Sequence, residues 1–176
     1  GRSPALPLTE ETIPNPVSWY GVSKYVGERM LLDIEPCTIP VTVLRLPGIF
    51  GKAKNDRSII GKFVDSVLLN RTIHLTAKGQ VRRDFVFVED VCRLILTSAQ
   101  LDFSGVLNVA TGISIPMCKI VDLISEALDR KASVSFINGR ASRDFDLEFS
   151  NARLKSLLPQ FSFLPLESGL RSYRIP

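Results

Sequence analysis

Ser18-Trp-Tyr-Gly-Val-Ser-Lys-Tyr-Val-Gly-Glu-Arg-Met-Leu-Leu-Asp33, followed within a few residues by Val41-Thr-Val-Leu-Arg-Leu46, decides the fold class. In the first run Trp19, Val22, Val26 and Met30 recur at helical spacing, which predicts a helix from about Ser18 to Asp33 with those four residues as its buried stripe and Pro36 as its stop. The second run is short and β-branched, the pattern of a strand. A helix that hands over to a strand so quickly is a step of a parallel sheet, whose neighbouring strands need crossover connections. Pro47-Gly48 then opens a loop at the carboxyl edge of that strand.

The alternation continues downstream. Ser58 is placed to cap a second helix with Ile59, Ile60, Phe63, Val64, Val67 and Leu68 at helical period, and Asn70-Arg71 breaks it. Thr72 to Thr76 reads as a short strand, and Asp84-Phe-Val-Phe-Val88 as a nearly continuous apolar one. Glu89-Asp90 opens a helix with Val91, Leu94, Ile95 and Ala99 inward, and Gly105 marks its exit. Val106 to Ala110 is another buried strand; Ser114, with Pro116 in the first turn, starts a helix carrying Ile120, Leu123, Ile124, Ala127 and Leu128. Ser133 to Ile137 is a further strand, followed by short helices near Ala152 to Leu158 and Leu166 to Tyr173. Upstream, prolines at 4, 7, 14 and 16 make the first sixteen residues a loop, with Thr9-Glu-Glu-Thr12 as a polar turn. Strand and helix in alternation imply α/β architecture.

Composition narrows the function. The chain has 176 residues, enough for one ordinary domain or parts of two, and 45% are hydrophobic. Its net charge of +4 comes from scattered Lys and Arg without a dense basic run, which suits small anionic ligands and argues against nucleic acid. Cys37, Cys92 and Cys118 are odd in number and lack C-x-x-C spacing, so neither a disulfide framework nor a zinc knuckle is expected, and a reducing cytoplasm is the natural compartment. One histidine, His74, does not make a Ser-His-Asp triad or a multi-His metal site easy to build; it reads as strand surface. No stretch has the length of a membrane-spanning helix, and the opening residues lack a signal-peptide core.

The chemistry concentrates at Tyr20 and Lys24. Four residues apart on a helix, a phenol and an ammonium stand side by side, with Glu28 next on the same stripe. Free tyrosine, with a pKa of about 10, is a poor base near neutrality, and a fixed cation beside it stabilises the phenolate. The competing reading is a solvated helix face. Pro47-Gly48-Ile-Phe-Gly51-Lys52 has the glycines of a phosphate loop but not the spacing, and neither G-x-G-x-x-G nor G-x-x-x-x-G-K-[ST] occurs.

Four stretches in order carry a family likeness: Thr9-Glu-Glu through Pro14, Pro16, Ser18, Tyr20, Lys24 and Glu28; Val43-Leu-Arg-Leu-Pro-Gly-Ile-Phe-Gly51; Arg83-Asp-Phe-Val-Phe-Val-Glu-Asp-Val91; and Leu107-Asn-Val-Ala-Thr-Gly112. The chain resembles the extended short-chain dehydrogenase/reductase family, the NAD-dependent epimerases and dehydratases of nucleotide-linked sugars. The likeness covers almost the whole chain and becomes looser after Ser133, through Ser150-Asn-Ala-Arg-Leu154 and Glu167-Ser-Gly-Leu170. It implies that the family's glycine-rich loop and catalytic serine lie upstream of residue 1, that this is a carboxyl-terminal portion inactive by itself, and that Ser3, Ser18 and Ser23 do not take the serine's role.

The resemblance implies a partial Rossmann-like, NAD-binding parallel sheet domain from residues 1–50 and 84–112, interleaved with a small α/β substrate-binding lobe from 51–83 and 113–176. NAD is the implied cofactor, with NADP not excluded, because the residue that reads the ribose 2′ position lies upstream. By the same likeness Tyr20 is the acid/base that exchanges a proton with a sugar hydroxyl, and Lys24 binds the nicotinamide ribose and holds the phenolate. Pro47 and Gly48 pass the nicotinamide, and Gly48 begins the substrate site. Arg83 grips the substrate diphosphate, with Arg82 as the substitute, and Arg140 or Arg143 completes the clamp. A guanidinium fork suits phosphate oxygens, and the alternative for Arg83 is an ion pair with Asp84. Many members carry Asn where Gly48 stands, and an aromatic where Thr76 stands against the base. The implied function is epimerisation or dehydration of a nucleoside-diphosphate sugar through a transient keto intermediate, a UDP-sugar 4-epimerase type first, in an enzyme that often forms homodimers through the Tyr20 helix. Gly48 and Thr76 favour the alternative, an NADPH-dependent reductase of a non-nucleotide carbonyl compound; a noncatalytic remnant or binding module is the third reading.

Overall fold

In the computed structural model, residues 5–33, 39–53, 56–138 and 145–174 are described. Helix α1 spans Trp19–Leu32 and β1 Thr42–Arg45; β2 spans Gly48–Phe50, α2 Ile59–Leu68, β3 Thr72–Leu75, β4 Arg82–Arg83 and β5 Phe85–Phe87. Helix α3 (Val88–Ser98), β6 (Gly105–Asn108), β7 (Ile115–Pro116), α4 (Met117–Leu128), β8 (Ser133–Phe136), α5 (Ala152–Leu157) and α6 (Leu166–Leu170) follow, and Arg171–Tyr173 closes the chain as a 3-10 turn. Strands alternate with helices as expected. Three of the four strand pairs are parallel, β1 with β6, β2 with β5 and β3 with β8, while β4 and β7 run antiparallel.

Local chemistry sets the helix starts. The Ser58 hydroxyl accepts from the Gly61 amide at 2.9 Å and Asp56 Oδ1 accepts from the Ser58 amide at 2.8 Å, so the exposed donors of α2's first turn are satisfied. Helix α3 begins with Glu89 and Asp90, whose negative charge suits the positive end of the helix dipole. Helix α4 starts at Met117, three residues later than the sequence suggests. Ile115–Pro116 is used as β7, pairing with β4, and the Ser114 hydroxyl donates to the Leu147 carbonyl rather than capping α4.

Two hydrophobic clusters hold these elements. The larger joins Phe50, Phe85 and Phe87 to Ile60, Val64 and Val67 of α2, Ile73 and Leu75 of β3, Ile120, Val121 and Ile124 of α4, and Leu170 and Tyr173. The smaller joins Leu94, Leu107, Val109 and Leu154. Each fully buried aliphatic side chain among them contributes about 1.5–3 kcal/mol relative to exposure. On β3 the alternation is clean, with Ile73 and Leu75 inward and Thr72 and His74 outward.

Three expectations are corrected. The stripe of Trp19, Val22, Val26 and Met30 is not buried: α1 contains no buried residue, and Trp19 is 89% exposed. Much of the space between α1 and β1 is a cleft lined by both elements, so α1 turns few apolar groups onto a packed neighbour among the described residues. On α3, Val91 and Leu94 face inward but Ile95 and Ala99 are exposed. Gly48 is a strand residue rather than a loop residue, because β2 pairs in register with β5 from Gly48 opposite Phe85 to Phe50 opposite Phe87. The expected stop at Pro36 lies outside the described residues.

Candidate active site

Helix α1 is launched by Ser18, which has extended dihedrals and whose hydroxyl accepts from the Gly21 amide at 3.1 Å. The prolines before it forbid an earlier start, and Thr9 and Thr12 close the expected polar turn, with the Thr12 amide donating to the Thr9 carbonyl at 3.2 Å. Tyr20 and Lys24 thus fall in the first turn and a half. The Lys24 ammonium lies 5.4 Å from the centroid of the Tyr20 ring, and Tyr20 is 73% exposed. Ser23 uses its hydroxyl on the Tyr20 carbonyl at 2.8 Å, a helix-surface role.

Tyr20 and Lys24 line a cleft of about 960 Å³ between α1 and β1, walled also by Pro14 to Val17, by Thr42 to Leu46, and by Phe145, Leu147 and Phe149. Arg83 lines the same cleft from β4. One of its terminal nitrogens donates to the Arg82 carbonyl at 2.8 Å and to the Phe145 carbonyl, and its guanidinium lies 5.6 Å from the Phe145 ring centroid. Asp84 is engaged elsewhere: its carboxylate accepts from the Thr111 hydroxyl at 2.6 Å and the Gly112 amide at 3.0 Å. Burial drives the Asp84 carboxyl above its ordinary value, and those two hydrogen bonds pull the other way. Arg82 is held by Glu148 at 3.0 Å and by the Ser114 carbonyl, outside the cleft lining.

Pro47, Gly48 and Thr76 are not among the residues lining this cleft. Gly48 donates its amide to the Asp84 carbonyl at 3.2 Å, and Thr76 precedes the tight turn Ala77–Gly79 at the end of β3. Arg140 and Arg143 lie outside the described residues.

A second polar network stands behind Tyr20 and Lys24. Arg45 of β1 donates to both oxygens of Glu28, at 3.0 Å from Nε and 2.6 Å from the outer nitrogen, and to the Glu10 carbonyl at 2.9 Å. The buried Glu10 carboxylate accepts from the Asn108 amide at 2.9 Å, and the Asn108 side chain donates to the carbonyls of Leu8 and Ser150. Glu28 is visible in sequence as the third member of the Tyr20 stripe. Its partner Arg45 is not, since only the packing of α1 along β1 brings the two together.

A phenol, an amine and a guanidinium lining one cleft suit proton transfer beside a phosphate-bearing ligand. Comparison with known proteins decides the family: the sequence profile of the NAD dependent epimerase/dehydratase family matches residues 1–110. The chain belongs to this family. GDP-6-deoxy-D-talose 4-dehydrogenase of Aggregatibacter actinomycetemcomitans is 31% identical over 121 residues, covering 68% of this chain and 40% of that protein. Among solved structures, the UDP-N-acetylglucosamine 4-epimerase of Methanobrevibacter ruminantium M1, in complex with UDP-N-acetylmuramic acid, superposes with a TM-score of 0.87 at 25% identity, over 98% of this chain and 57% of that one. The UDP-glucose 4-epimerase of Thermotoga maritima superposes at 0.86 and 24% identity, over 98% and 57%, and shows the same fold. As in those Rossmann-like enzymes, the chain is α/β with parallel strand pairs. It spans about half the length of the curated relatives it matches, 52% of each of two of them.

Proposed function

We propose that the protein carrying this chain is an NAD(P)-dependent epimerase or dehydratase of a nucleoside-diphosphate sugar, of the UDP-sugar 4-epimerase type, working through a transient keto sugar. The observation that carries the reading is the Lys24 ammonium beside the Tyr20 phenol, both open to the cleft that Arg83 also lines. The residues present fit one end of a nicotinamide nucleotide: the Tyr20 hydroxyl and Lys24 ammonium are a donor and acceptor set for a ribose diol. Bound there, NAD would supply a reversible acceptor for a hydride. Tyr20 removes the proton of a sugar hydroxyl and later gives it back, while Lys24 neutralises the phenolate and holds the ribose. Arg83 holds the diphosphate with its planar donors, joined by Arg140 or Arg143. Pro47, Gly48 and Thr76 are assigned to the nicotinamide and base ends of the bound molecules. Residues 1–50 and 84–112 form the cofactor-binding unit and 51–83 with 113–176 the substrate lobe. The parallel β1 and β6 pair and the β3 and β8 pair support that division.

The relatives' length and the absence of a glycine-rich phosphate loop here support a cofactor site completed by further polypeptide. A cytoplasmic homodimer fits the reading, and no described helix is long and apolar enough to cross a membrane. The test is Tyr20→Phe in the complete enzyme with NAD and UDP-sugars. Turnover drops by about 10²–10⁴-fold, while Lys24 keeps the cofactor bound. Turnover within about threefold of the parent would refute the role of Tyr20.

A further inference from the structure

Glu28 is the one carboxylate among the described residues that line the cleft, where the charged side chains are Lys24, Glu28, Arg45 and Arg83. It stands one helical turn beyond Lys24 on α1, at the spacing where an ammonium and a carboxylate reach each other directly. Lys24 nevertheless makes no ion pair among the described residues and sits by the Tyr20 ring. The reason is across the cleft wall. Arg45 engages both oxygens of Glu28, and all three of its guanidinium nitrogens are used, two on Glu28 and one on the Glu10 carbonyl. The pair is well shielded, with the Glu28 side chain 10% and the Arg45 side chain 21% exposed. Arg45 is in turn fixed on β1, opposite Asn108 of β6, which binds the Glu10 carboxylate.

We propose that Arg45 is a positioning residue that keeps Glu28 from capturing Lys24, so that the ammonium stays on Tyr20. This rests on the catalytic reading of Tyr20 and Lys24 for its consequence, but its geometry can be tested without turnover. A bidentate guanidinium takes one acceptor site on each carboxylate oxygen and neutralises the charge, which removes most of the pull on a neighbouring lysine. Without the fork, Glu28 becomes a shielded, unpaired carboxylate whose nearest mobile cation is Lys24. The ammonium then moves along the helix, away from the phenol, and the proton-transfer pair comes apart. A purely structural ion pair would also be relieved by removing the stranded carboxylate, but it would leave Lys24 beside the Tyr20 ring in every variant.

The experiment follows the Lys24 ε-methylene signals by NMR in the complete protein. In the parent the Tyr20 ring current displaces them, and Tyr20→Leu removes the displacement, which assigns its origin. Arg45→Met is expected to abolish the displacement, and Arg45→Met with Glu28→Gln to restore it, because the capturing carboxylate is gone. Glu28→Gln alone leaves Lys24 where it is. Turnover with a UDP-sugar falls at least about tenfold in Arg45→Met and recovers to within about threefold of the parent in the double variant. If Arg45→Met does not fold, Arg45→Lys replaces it; a single ammonium leaves one Glu28 oxygen open, so a partial loss of displacement is required. Lys24 signals unchanged in the Arg45 variant, or still lost in the double variant, overturn the proposal. Signals that move and recover while turnover stays flat uphold the positioning and instead refute the catalytic assignment of Lys24.

Discussion

Gly48 and Phe85 meet so closely across the β2 and β5 pair that a Cβ on Gly48 would lie 2.5 Å from the Phe85 ring. Phe85 belongs to the larger hydrophobic cluster, so the ring cannot swing into solvent without opening that core. Packing therefore accounts for glycine at this position, a cause that the sequence alone does not show. Gly48→Ala should lower stability by about 1–3 kcal/mol in urea denaturation, the cost of overpacking, and an unchanged midpoint would contradict this. Asp84, whose carbonyl accepts the Gly48 amide, gives a second residue-scale prediction. Its folded value is raised above the unfolded 3.8 by burial, so the native state holds the proton more tightly than the unfolded chain. The contribution is complete below 3.8 and is lost as pH rises through the raised value. Asp84→Asn has no proton to lose, so the stability gap between parent and variant should change as pH rises from below 3.8 through the raised folded value, in equilibrium denaturation. A constant gap would show that Asp84 titrates alike in both states.

At the scale of elements, α1 is a helix held by its ends and one polar stripe rather than by a buried face. Ser18 caps its start, Arg29 and Asp33 pair at 2.7 Å near its end, and Glu28 ties its middle to β1. Ser18→Ala should remove about 1 kcal/mol from the first turn. The loss should appear as roughly fivefold faster amide exchange around Tyr20, with exchange on α2 and α4 unchanged, since those helices are anchored in the larger cluster. Faster exchange on all three helices would mean that α1 is coupled to the core after all. The same features explain what the sequence could and could not show. Period and caps are local signals, so α1 and α2 are legible within a residue or two, whereas α3 ends at Ser98, well before the expected exit at Gly105, and α4 starts at Met117 rather than at Ser114. Which face is covered depends on neighbours distant in sequence, and there Trp19, Met30 and Ile95 depart from expectation by lying exposed. Strand β2 has three residues, too few to carry a period, and is defined only by its partner. Tyr20 with Lys24 was legible because the pair is four residues apart on one helix. Glu28 with Arg45 was not, because seventeen residues separate them in sequence and only the packing of α1 along β1 joins them.

For the whole molecule, the decisive link is between its last described turn and the loop after β2. The Tyr173 hydroxyl donates to Asp56 Oδ2 and accepts from the Gly51 amide at 3.0 Å, while Asp56 Oδ1 accepts from the Ser58 amide that begins α2. Gly169, beside it on α6, lets Phe50 and Phe87 pack against the backbone: a Cβ there would lie 2.8 Å from the Phe50 ring. The closing segment thus fastens β2, α2 and α4 into one cluster. Burial first, and then the charge of Asp56, push the Tyr173 phenol well above its ordinary value of 10. A folded value above the unfolded one means stability that is complete below about pH 10 and declines as pH rises from there toward the folded value. Tyr173→Phe removes the donor to Asp56 and leaves the Gly51 amide without this acceptor, at a cost of about 1–3 kcal/mol near neutrality. Because the phenylalanine variant has no phenol at this site to ionise, its alkaline decline should be shallower, and the two melting curves should converge between about pH 10 and about pH 12. Melting temperatures that stay equally far apart over that range would show that the phenol titrates alike in the folded and unfolded chain and that alkaline unfolding begins elsewhere.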